Sequence, residues 1–135
     1  MKKNLLLSLL FILTFFCFSF SGCTTKYVGV YKFHKTIVNY NEQTTIVKPG
    51  DITASGFIVT EDYLTFQLKS DGTAIRIMDY GSSNKWEDIG TWEHYSDNVL
   101  ILIFEDDVSY AKYKNFKLTF EQNGSKIILR KKLFS

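Results

Sequence analysis

The chain has 135 residues, 16 basic against 14 acidic side chains, and an aromatic set of 2 Trp, 8 Tyr and 12 Phe. That length fits a single domain, and the near balance of charge excludes a global attraction to nucleic acid. The only cysteines are Cys17 and Cys23, so the segment beyond them has no disulfide, no cysteine zinc site and no thiol nucleophile.

The first element is a leader. Lys2 and Lys3 precede an apolar run from Leu5 to Phe20, interrupted only by Ser8, Thr14 and Ser19. A basic start, a short apolar core and a small-residue exit make a secretory signal. The run is 16 residues, slightly over the usual signal core, and since a membrane-spanning helix takes roughly 20 a retained anchor helix is the competing reading, which the exit decides. Its exit, Phe20-Ser21-Gly22-Cys23, resembles the lipobox of bacterial lipoproteins, with Phe20 where leucine is usual. That resemblance implies cleavage after Gly22 and a lipid-bearing Cys23. The expected organisation is a signal peptide over residues 1–22, a lipidated cysteine and short tether over 23–26, and one domain over 27–135. Thr24, where an aspartate would retain the chain in the inner membrane, points by analogy to an outer-membrane anchor, and with no acidic export run after Cys23 the expected orientation faces the periplasm.

Beyond the leader, apolar and polar residues alternate with the period of a strand. Tyr31 and Phe33 flank Lys32; Leu64, Phe66 and Leu68 alternate with polar residues. Ser70-Asp71-Gly72-Thr73 makes a turn into Ala74–Met78, and Asp-Gly between alternating runs signals a hairpin. Strands are expected over Trp86–Tyr95 and Val99–Phe104. Phe116, Leu118 and Phe120 alternate in the next, and Asn123-Gly124 turns into Lys126–Lys132. Weaker patterns mark Thr36–Tyr40, Thr44–Lys48, Ile52–Thr60 and Val108–Lys112. No stretch carries a helical period. The fold class is all-β, and strands following one another through short turns favour an antiparallel up-and-down barrel of about eight strands. An open sandwich is the alternative.

The order Gly29-Val30-Tyr31, Leu64 to Thr73, Gly90-Thr91-Trp92, Leu100-Ile101-Leu102 and Lys126-Ile127-Ile128-Leu129 resembles the small lipocalin-like lipoproteins of bacterial envelopes. Tyr31 stands where lipocalins carry tryptophan, and the chain ends on a strand where they carry a helix. The resemblance implies a barrel that holds a small apolar ligand.

The candidate ligand residues are Tyr31, Phe66, Trp86 and Trp92. Trp86, Gly90 and Trp92 share a strand face by their even spacing. That face is either a stacking wall for a ligand or packed core, with a ring lying over Gly90. Glu105-Asp106-Asp107 reads as a solvated hairpin loop, since calcium needs spaced ligands and a glycine turn. His34 and His94 have no partner at metal-ligand spacing. No nucleophile elbow, phosphate loop or dinucleotide motif occurs, so the expected protein is not an enzyme and takes no cofactor or metal.

Charge is segregated along the chain. Residues 23–50 carry four lysines and one acid, residues 51–107 three basic and twelve acidic groups, and residues 108–135 seven basic groups and one acid. In a closed barrel the first and last strands are neighbours. Lys26 would then lie beside Arg130, Lys131 and Lys132, forming a basic region that faces the membrane. Partners are therefore the membrane through Cys23, a small hydrophobic ligand, or an envelope protein meeting a filled barrel.

Overall fold

The computed structural model describes residues 25–81 and 84–133; the expected leader and Cys23 lie outside them. The described residues form nine strands: β1 Gly29–Tyr40, β2 Gln43–Val47, β3 Leu64–Leu68, β4 Thr73–Asp79, β5 Lys85–Ser96, β6 Val99–Phe104, β7 Asp107–Lys114, β8 Lys117–Gln122 and β9 Ser125–Lys131. All pairings are antiparallel. The strands β1 and β3 to β9 follow in order, and β1 pairs with β9 to close an eight-stranded barrel. Closure leaves no open sandwich.

Strand β1 departs from the expected pattern. Two short runs, Tyr31–Phe33 and Thr36–Tyr40, are one strand with an irregularity between Phe33 and Lys35. Its first part pairs with β3 at Gly29–Lys32, and its later part, Thr36–Tyr40, pairs with β2 instead. A bulge bends a strand and sharpens its twist. Here β1 peels away from β3, and the chain between β2 and β3 fills the gap.

The expected strand Ile52–Thr60 does not form. Only Ile52 and Ile58 bridge, and Thr53 accepts the Gly56 N–H in a tight turn at 2.9 Å. Ser55-Gly56 breaks the alternating run, and Gly56 takes a φ of +87°. A second correction concerns Phe116. Strand β8 starts at Lys117, and Phe116 sits in the β7–β8 turn with a φ of +63°.

The interior is packed with side chains. Tyr31, Leu68, Leu100, Leu102, Leu118 and Leu129 are each at most 1% exposed. At the end where β1 begins, a short 3-10 turn, Thr25–Tyr27, places Tyr27 across the opening. Its ring lies 6.3 Å from Trp92, 5.2 Å from Tyr113 and, stacked, 5.5 Å from His94. The Tyr31 hydroxyl donates to the Tyr27 carbonyl at 2.7 Å, and burial lifts that phenol's pKa well above its usual range. This tether end is closed. At the other end, the mouth, stand the segment after β2 and the turns after β4, β6 and β8.

Candidate functional site at the barrel mouth

The mouth is divided between a polar clamp and an aromatic cleft. The clamp grows from the inward register of β4. Ala74 and Arg76 share parity, and Arg76 lies opposite Phe66 on β3 and Asp88 on β5. Its guanidinium donates to Asp88 at 2.6 Å and to Asp107 at 3.1 Å, with Asp106 at 3.5 Å. It also covers the Phe104 ring at 4.3 Å and the Trp86 ring at 5.5 Å. The side chain is 14% exposed, and its Nε–H is buried without a partner in the structure. A guanidinium stacked on rings and held by carboxylates suits such a half-buried position. The clamp shuts the β4–β7 side of the mouth. Glu105-Asp106-Asp107 is thus only partly a free loop, since two of its three acids hold Arg76.

The cleft occupies the gap between β1 and β3. It is an open cleft of about 540 Å³. Phe33 and Val59 are its buried floor, Val47 of β2 is one wall, and Phe57 and Tyr80 stand at its edges. Tyr63 organises the rings: it meets Phe33 at 5.4 Å, Phe57 at 6.0 Å and Tyr80 at 5.6 Å. Offset and edge-on geometries at these distances are favourable for aromatic pairs. Gly81 takes a φ of +81°, and a Cβ there would stand 3.2 Å from the Phe57 ring, so its bare backbone leaves that ring room. Burial, with Tyr80 adding to it, raises the Tyr63 phenol pKa. Thr36, Thr53, Ser55 and Asn84 supply the polar groups of the lining. An apolar pocket with a few convergent polar groups is the usual form of a small-molecule site.

The four ligand residues expected from sequence do not share one wall. Tyr31 and Trp92 belong to the closed tether end, where the Trp92 Nε1–H donates to the Lys69 carbonyl at 2.8 Å. Phe66 lies in mid-barrel, stacked on Phe120 at 5.1 Å. Trp86 shares a strand face with Trp92 but sits at the mouth, 41% exposed, against Arg76. A ring does cover Gly90: a Cβ there would lie 2.7 Å from the Phe104 ring and collide with the Ile103 carbonyl. The cleft's own residues carry no site signal in the sequence: Phe33, Thr36, Val47 and residues 53–59 read only as strand positions, and Tyr63, Tyr80 and Asn84 fall outside the expected strands.

Of the four basic residues expected to group, Lys26 and Lys131 touch directly, and Arg130 is the neighbour of Lys131 on the same strand. Arg130 pairs with Lys32 across β9 and β1, and Lys131 pairs with Tyr31. The Lys131 Nζ donates to the Lys26 carbonyl at 3.1 Å, and the Lys26 Nζ to Asn98 at 3.1 Å. Gly29 makes room: a Cβ there would stand 2.5 Å from the Lys131 stem. Partial burial lowers the Lys131 pKa.

Nearby His34 reports the same field. Burial is the main cause of its lowered pKa, followed by repulsion from Arg130, Lys117 and Lys35. Because the folded value lies below the unfolded one, about 6.5, this group's stabilisation is present above that pH. It is lost as pH falls through the folded value. The His34 ring resonances are expected to titrate below the free-histidine midpoint, and Arg130→Gln should raise that midpoint. An unmoved midpoint in the variant would remove Arg130 as a cause.

Among the described residues no cluster of three His, Cys, Asp or Glu side chains can hold a metal, and no helix is long and apolar enough to cross a membrane.

No protein-family model matches the chain, and no curated protein matches it. Two solved structures share its fold. A lipocalin-like protein from Bacteroides uniformis superposes with a TM-score of 0.54 at 14% identity, over 78% of this chain and 97% of that one. An uncharacterized protein from Bacteroides eggerthii gives a TM-score of 0.52 at 10% identity, over 78% of this chain and 98% of that one. The likeness establishes a lipocalin-like barrel.

Proposed function

We propose that the protein is a lipid-anchored, non-catalytic binding module of the bacterial cell envelope. Its ligand is a small apolar molecule held in the aromatic cleft at the barrel mouth. The observation that carries the ligand reading is the cleft itself: about 540 Å³, floored by Phe33 and Val59 and ringed by Tyr63, Phe57 and Tyr80. The filled barrel axis moves the site to one side of the mouth, away from Tyr31 and Trp92. The anchoring reading is supported by Phe20-Ser21-Gly22-Cys23 after an apolar leader. Outer-membrane placement facing the periplasm is part of the same proposal.

The test uses natively purified protein and two measurements. Mass spectrometry of its organic extract is expected to find a stoichiometric apolar compound. An apolar fluorescent probe, N-phenylnaphthylamine, should bind the emptied protein, and Phe57→Asp should weaken that binding by about tenfold, the equivalent of one lost aromatic contact. An empty extract together with unchanged probe binding in Phe57→Asp would overturn the reading. The second reading, a protein-interaction module, would then gain weight from the outer face of β5–β7. Ile89, Val108 and Tyr110 are exposed there, and Tyr95 packs on Tyr110 at 5.2 Å.

A further inference from the structure

Phe116 occupies a costly position. Asn115 and Phe116 connect β7 to β8 as a two-residue turn with φ values of +52° and +63°. Turns of this kind favour Asn-Gly, because a bulky residue is strained at positive φ. The chain follows that preference at the other end of β8, where Asn123-Gly124 turns into β9. At the tether end it places a phenylalanine that is 48% exposed, so about half of this apolar residue stays in solvent at a strained position.

The charges around it are also costly. Lys114 and Lys117 face each other across β7 and β8, and Lys117 faces Arg130 across β8 and β9. Like charges directly opposite in a sheet are destabilising. Lys32 continues the row on β1 and is neutralised by Asp62 at 2.5 Å. No ion pair reaches Lys114, Lys117 or Arg130 among the described residues.

Three further features join this end. The Lys131 N–H donates to the Phe116 carbonyl at 2.7 Å, which ties the turn to the end of β9. Leu133, just beyond, is 55% exposed. The described chain begins at Thr25 beside Lys26, two residues after Cys23, so a lipid on Cys23 would lie within about 7 Å of this end.

We infer that the β7–β9 side of the tether end docks on an anionic bilayer surface, with the Phe116 ring entering the interface and Lys114, Lys117 and Arg130 meeting lipid phosphates. An apolar ring among cations is the chemistry of interfacial membrane binding, and the surface field falls off within a Debye length. Two acids share this end, Asp71 and Asp97, on the β3–β4 and β5–β6 turns. They set the other side of the barrel away from the bilayer, so the molecule leans. The aromatic cleft at the opposite end then faces the aqueous compartment. The proximity argument rests on lipidation of Cys23; the ring and the cation row do not.

The experiment uses the full chain, purified from membranes and reconstituted into vesicles. Cys17 and Cys23 are the only native cysteines, so Phe116→Cys gives the processed, lipidated chain one free thiol for an environment-sensitive dye. Glu105→Cys labels the mouth as a control. In phosphatidylglycerol vesicles the dye at 116 is expected to shift to the blue and escape aqueous iodide. It should remain quenched in phosphatidylcholine vesicles, and the dye at 105 should remain quenched in both. Lys114→Glu with Lys117→Glu should abolish the shift. Phe116→Gly should raise the melting temperature while losing vesicle contact.

Equal quenching of the 116 dye in both lipids overturns the docking, as does a melting temperature lowered by Phe116→Gly. An acidic protein that shields position 116 where lipid does not would overturn it in favour of a protein partner. Intact mass reports lipidation separately. A lipidated chain with an exposed 116 dye loses the docking alone. An unlipidated chain loses the anchoring alone, and flotation with anionic but not zwitterionic vesicles still decides the docking.

Discussion

Replacing Trp92 with alanine is expected to lower folding stability by about 3–5 kcal/mol, the usual cost of deleting a buried tryptophan. Trp92 is 5% exposed on the inner face of β5. Its ring meets Tyr27 edge-on at 6.3 Å, its Nε1–H donates to Lys69 at 2.8 Å, and its backbone N–H donates to Gly72 at 2.9 Å. Alanine keeps the last of these bonds, opens a cavity behind Tyr27 and leaves the Lys69 carbonyl with only the Gly72 N–H at 3.1 Å. Domains of this size possess roughly 5–15 kcal/mol in total, so a large share is lost. Urea unfolding followed by far-ultraviolet dichroism measures the change. A midpoint equal to that of the parent chain would mean that Trp92 does not hold the tether end closed.

Cys23→Ala is expected to have the larger functional effect. In a lipoprotein, the cysteine sulfur accepts the diacylglyceryl group before the leader is cut. Alanine has no such nucleophile, so the chain should keep residues 1–22 and take up no labelled palmitate. Each buried methylene contributes about 0.8 kcal/mol to membrane attachment, and more than one acyl chain is needed for a stable anchor. Detergent partitioning discriminates poorly here, because the retained leader is itself apolar. Incorporation of labelled palmitate discriminates well, and equal labelling of parent and variant would exclude Cys23 as the acceptor.

The barrel was legible because its signals are local. Leu64, Phe66 and Leu68 alternate, Asp71-Gly72 and Asn123-Gly124 turn, and each strand's inward set follows from its phase. Barrel closure makes the first and last strands neighbours, and in the structure the Lys131 Nζ accordingly reaches the Lys26 carbonyl. Where the reading failed, two signals competed. Ile52–Thr60 alternates, yet Ala54-Ser55-Gly56 folds the run back on itself. Phe116 has the parity of Leu118 and Phe120, yet Asn115 before it takes a positive φ and starts the turn. Arg76 was a different case, because β4 carries apolar residues on both faces. The clue was its register with Ala74, which points it inward opposite Asp88. The cleft was not legible. Phe33, Tyr63 and Tyr80 come from three separate segments, and only the departure of β1 from β3 brings them together.

The claim on which the account most depends is that the barrel is carried on a lipidated cysteine. Intact mass spectrometry of the chain extracted from its own cells' membranes tests it most directly. The expected species spans residues 23–135 and carries a diacylglyceryl group on Cys23 with or without an amide-linked acyl chain. A single species with the unmodified mass of the 135-residue chain, or of a cleaved chain bearing no lipid, would contradict it.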